Sequence, residues 1–141
     1  MTDRRVESVY RTLRGAFVFV PVAAGADKFL NLLADWPAYV SPLAASLLPV
    51  SPAAFMRVVG VVEIAAGLLV LLRPRLGGLV VAAWLVLVSL DLVAGGHLDI
   101  AVRDLVLALS AFSVARLAGV LEPASVRTSD PARAGRAAAG A

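Results

Sequence analysis

The chain has 141 residues, 60% hydrophobic and only 16% charged, with a mean hydropathy of +0.88. Ordinary soluble domains are about 45–50% apolar and about 25% charged, so that class is excluded. With no cysteine and a single histidine, His97, the chain supplies no thiol–disulfide couple, no c-type haem attachment, no thiolate metal site and no bis-histidine haem within one protomer. The formal charge of +3 comes from arginines that flank apolar runs and form no patch with interleaved aromatics, which argues against nucleic acid as a partner.

Residues 1–14 carry Arg4, Arg5, Arg11 and Arg14 and read as a cytoplasmic N-terminal segment. The first apolar run, about 15–33, is interrupted late by Asp27, Lys28 and Asn31. Its start imitates a signal peptide, with an arginine-rich lead, an apolar stretch and Ala24-Gly25-Ala26. Apolar character resumes at Phe29, Leu30, Leu32 and Leu33, which favours a retained span. An outer loop, 34–52, follows with four of the eight prolines. Ser41 as N-cap and Pro42 at the first position predict a short helix there through Leu48, while Trp36 and Tyr39 suit a membrane interface.

The second run, 53–72, contains Arg57 and Glu63; after Arg73-Pro74-Arg75 the third, 76–93, is clean until Asp91. His97 follows Gly95-Gly96 in the next link and reads as a solvated loop residue, or as a proton relay if the loop folds inward. The fourth run, 98–117, carries Asp99, Arg103 and Asp104 early. Ser89, Ser110 and Ser113 are expected to hydrogen-bond between helices. Residues 119–141 have almost no large apolar side chains beyond their start and read as a disordered cytoplasmic tail.

Each run has the ~20 residues that a helix needs to cross about 30 Å of hydrocarbon, and none shows the alternation of a barrel strand. The expected fold is all-α: an integral membrane four-helix bundle over 15–118. Ten of the 13 basic residues fall on one side of a four-span arrangement, placing N-terminus and C-terminus on the cytoplasmic side.

Counted along the spans, Asp27, Lys28, Arg57, Glu63, Asp91, Arg103 and Asp104 all fall in the outer half of the membrane. Charges at that depth cost about 2.5–3.5 kcal/mol each, so they are expected to face inward and pair. The set reads either as a structural ion-pair network or as a polar site for a ligand, a quinone head group or a proton. Gly60 and Gly67 lie three residues before and four after Glu63, on one helix face, so a neighbouring helix can approach with the carboxylate in the seam. Arg57 is six residues away, about 240° around the helix, so the partner of Glu63 is expected from another helix.

The segments Arg14-Gly15, Gly25-Ala26-Asp27-Lys28-Phe29 and Gly60-Val61-Val62-Glu63-Ile64-Ala65-Ala66-Gly67, with the Arg-Pro-Arg-Leu-Gly link and Arg103-Asp104, resemble the DoxX family of small four-helix bacterial membrane proteins. The only lysine, Lys28, falls where the family motif has one. The resemblance spans about residues 11–118 and implies an accessory or anchoring subunit of a membrane-associated, quinone-linked oxidoreductase, not catalytic by itself. It implies an oxidoreductase partner protein and quinone as the candidate cofactor; with no cysteine and one histidine, no metal site is expected. The alternative is a small proton-coupled transporter that works as a homo-oligomer through Glu63.

Overall fold

The computed structural model describes residues 3–128, with side chains through Leu121. Its described residues form α1 (Arg4–Leu30), a 3-10 turn (Trp36–Tyr39), α2 (Pro42–Leu47), α3 (Pro52–Leu72), α4 (Pro74–Ala94) and α5 (Leu98–Thr128), with no strand among them. Three helices are long and apolar enough to cross a membrane: α3, α4 and the Leu98–Leu121 part of α5. The protein is therefore an all-helical, multi-pass membrane protein.

The helix ends follow from capping chemistry. Asp3 accepts from the Arg5 N–H, Ser41 from Ala44 and Ser51 from Ala54, and Pro42 and Pro52 occupy first helical positions where a missing N–H costs nothing. The Ser41–Pro42 start lies where the sequence predicts it, and α2 stops at Leu47. Between α3 and α4 the chain reverses through one residue, Arg73.

Three boundaries differ from expectation. The N-terminal segment is helical from Arg4, where the Asp3 cap starts α1 and the pair Glu7–Arg11, 2.5 Å apart at i,i+4, supports its first turns. α1 ends at Leu30 instead of Leu33, because the Asp27 carboxylate accepts from the N–H groups of Leu32 and Leu33 and turns the chain through Asn31 at φ 51°. α5 continues through Thr128, into the stretch read as tail; residues 129–141 of that reading lie outside the described residues.

α1 packs along α3, α4 along α5, α3 borders α4, and α1 touches α5 more lightly. Close approach rests on glycine. A Cβ on Gly25 would lie 2.5 Å from the Gly60 carbonyl oxygen, and one on Gly60 would lie 2.6 Å from that of Gly25. The core of Tyr10, Phe17, Ala66, Val70, Val81, Ala111, Val114 and Ala118 fills the end of the molecule that bears the arginine-rich N-terminal segment and the Arg73 turn. Buried Asp27, Lys28, Ser41, Ser89 and Asp104 lie toward the opposite end, under the 34–52 loop. The serines divide: Ser89 Oγ lies 2.7 Å from the Leu85 carbonyl and 3.2 Å from that of Ala101 on α5, whereas Ser110 and Ser113 donate to carbonyls of their own helix. The expected interhelical role thus holds for Ser89 alone of the three, because Ser89 is buried against the Ala101 carbonyl of α5, whereas Ser110 is only half-buried and Ser113 exposed.

Candidate functional site

The site forms where α1 crosses α3. Gly25 and Gly60 remove the side chains that would hold the helices apart, and Lys28, one turn beyond Gly25, then reaches Glu63, nearly one turn beyond Gly60. Lys28 Nζ stands 2.6 Å from Glu63 Oε2, with side-chain exposures of 4% and 16%. Gly67 continues the seam, where a Cβ would meet Val18 and Val22 of α1. The neighbour that approaches the Gly60–Glu63–Gly67 face is α1.

Two aromatic side chains complete the enclosure. The Trp36 ring lies 3.7 Å from Lys28 Nζ in a cation–π contact, while its Nε1–H donates to Asp27 Oδ2 at 2.7 Å. From α4, the half-buried Trp84 approaches the Glu63 carboxylate; its buried Nε1–H makes no hydrogen bond of good geometry. Asp104 of α5 is close enough to act on Glu63 electrostatically. It is the polar member of the buried small-residue stripe Ala101, Ala108, Ala111, Ala115 and Ala118, whose three- and four-residue spacing turns it inward. The centre thus joins α1, α3 and α4 through Lys28, Glu63 and Trp84, with the buried Asp104 of α5 on the same side of the bundle.

The remaining expected members separate from this centre. Asp27 is buried but committed to the chain that leaves α1, accepting from Leu32, Leu33 and Trp36. Asp91 is committed to the loop, accepting from the backbone N–H of Ser41 at 3.3 Å and from the Ser41 hydroxyl. Arg57 is exposed and makes no ion pair among the described residues, so the expectation that it faces inward is corrected. The 240° offset from Glu63 turns it outward, near the loop end of α3, where it can reach the polar interface. Arg103 is also outward, its side chain 64% exposed, and it pairs with its sequence neighbour Asp104 at 2.9 Å. Consecutive helical residues point about 100° apart, so only one of the two can enter the interior.

His97 is neither a freely solvated residue nor in contact with the Lys28–Glu63 pair. It is half-buried, and its ring centroid lies 5.1 Å from that of Tyr39. The loop is therefore a fastened cover: Trp36 on Lys28 and Asp27, Tyr39 on His97, and Ser41 on Asp91.

The sequence pattern gives Trp36 an interface role and Ser41 a capping role, and it does not show either of them, or Trp84, as a partner of the buried charges. For Trp84 a signal existed. It lies eleven residues after Arg73, and Glu63 lies ten before it, so a tight hairpin brings both to one depth. No group of three or more His, Asp or Glu residues able to hold a metal occurs among the described residues. Comparison with protein-family models, curated proteins and solved structures gave no match.

Proposed function

We propose that this chain is a DoxX-like integral membrane protein, a four-helix bundle in the bacterial cytoplasmic membrane with both termini cytoplasmic. In this reading it serves as an accessory or anchoring subunit of a quinone-linked oxidoreductase system. α1 is the fourth span. Its two charges within the apolar stretch, Asp27 and Lys28, are buried in protein, which removes the penalty that would keep them out of lipid.

One observation carries the reading. The two motifs on which the family resemblance rests, Gly25-Ala26-Asp27-Lys28 and Gly60 to Gly67, pack against each other and create a single enclosed polar centre. Its parts suit a polar head group or a proton: an ammonium, a carboxylate and an indole N–H donor without a well-formed hydrogen bond, all at the depth of the spans.

The test is purification from native membranes in mild detergent, with mass spectrometry of the proteins and extraction of quinones from the same sample. A stoichiometric oxidoreductase that is lost together with quinone in Glu63→Gln supports the subunit reading. A lone homo-oligomer overturns it. Proton-coupled transport through Glu63 then becomes the reading to test, by acidification of proteoliposomes.

A further inference from the structure

An apolar groove follows the outer face of the α3–α4 hairpin. Val62, Ala65 and Leu69 of α3 and Val80, Ala83 and Leu87 of α4 line a hollow of about 660 Å³. Alanine methyls at 65 and 83 leave the seam open where larger side chains would fill it. At the turn, Leu72 and Leu76 prolong the same two helix faces at three- and four-residue spacing, and a second hollow of about 420 Å³ is walled by them with Arg73 and Arg75. Leu76 to Leu87 covers about 16 Å of helix rise, about half of a ~30 Å hydrocarbon core and so the depth of one leaflet.

The charged end of the groove has no neutralising carboxylate among the described side chains. Arg73 and Arg75 are exposed and form no ion pair among the described residues, and residues 64–90 contain no Asp or Glu. Arg14, which donates to the Leu71 carbonyl at 2.6 Å, adds a third guanidinium beside the same turn. Two guanidiniums without an ion pair among the described residues, at the mouth of an apolar groove one leaflet deep, match a molecule with an anionic head and an acyl tail.

We propose that the α3–α4 groove binds one anionic glycerophospholipid, with its phosphate on Arg73 and Arg75 and an acyl chain along the seam. The inference rests on the membrane-spanning reading of the chain. Headgroup charge selects the lipid, and the groove holds its tail.

The test uses the full chain in mild detergent, titrated with dioleoyl phosphatidylglycerol or dioleoyl phosphatidylcholine and read by native mass spectrometry. The expected result is one phosphatidylglycerol retained in preference to phosphatidylcholine. Retention should fall about fivefold for each arginine neutralised in R73Q/R75Q, with phosphatidylcholine unchanged. R73K/R75K should keep the preference, A83F should lower retention of both lipids, and inorganic phosphate should not displace the bound lipid. Equal retention of the two lipids by the unmodified chain, or an undiminished preference in R73Q/R75Q, overturns the site. Displacement by inorganic phosphate overturns the part of the acyl chain. Carbonate extraction of the source membranes separates the two levels. Release into the soluble fraction overturns the membrane reading itself, whereas an embedded protein without lipid preference overturns the lipid site alone.

Discussion

Lys28 Nζ lies 2.6 Å from Glu63 Oε2 where Gly25 and Gly60 bring α1 and α3 together, so the ion pair and the helix crossing are one feature. Each buried charge is offset by the other.

Removing one partner leaves the other buried and uncompensated. Glu63→Gln or Lys28→Met is expected to cost about 3–5 kcal/mol, and the double variant Lys28→Met/Glu63→Met should recover most of the loss. Thermal unfolding in detergent measures this. A single variant that melts with the unmodified protein would show that the pair does not hold the crossing.

The glycine contact gives an opposed pair of substitutions. Gly25→Ala places a Cβ against the backbone of Gly60 and is expected to destabilise by about 1–3 kcal/mol. Gly15→Ala, on the same helix with nothing within 4 Å, should stabilise by up to about 1 kcal/mol through helix propensity. Equal effects of the two on the melting curve would contradict the close approach of α1 and α3.

Trp36 makes two separable contacts. Trp36→Phe keeps an aromatic face for Lys28 but removes the donor to Asp27, at an expected cost of about 1.5–3 kcal/mol, and Trp36→Ala should cost more. With Trp84 replaced by Phe, Trp36 is the remaining tryptophan, and its emission should shift to the red as the cover is loosened by partial denaturation. Emission that stays constant until global unfolding would mean that the cover does not open separately.

Ser41→Ala removes the hydroxyl that ties the loop to Asp91 and caps α2. Hydrogen exchange in residues 34–50 should accelerate, with little change in α4 or α5. Unchanged exchange in the loop would place its anchorage elsewhere.

Orientation is accessible because the chain contains no cysteine. Single cysteines at the exposed positions Thr12 and Ser46 should react differently with a membrane-impermeant maleimide on intact bacterial spheroplasts: Ser46→Cys at once, Thr12→Cys after permeabilisation. The reverse order would invert the proposed topology.

The three helices long and apolar enough to cross a membrane are legible in the sequence because apolar composition and length are local properties. The short helix after Ser41 is legible too, since a cap and a first-position proline act within one turn. Spacing also dictates that Glu63 and Arg57 point apart and that Glu63 needs a partner from another helix.

Which partner it finds was decided by tertiary structure. Counting along the apolar runs groups seven charged residues toward one end of the helices, but pairing depends on rotation about each helix axis and on which helices touch. The glycine contact chose Lys28, the loop claimed Asp27 and Asp91, and the alanine stripe of α5 turned Asp104 inward and Arg103 outward. Sequence by itself determined that these apolar runs become helices and how far along its helix each charge sits. Packing alone decided which charges meet, because a hydrogen bond spans about 3 Å and only the interhelical contacts bring side chains from different helices that close.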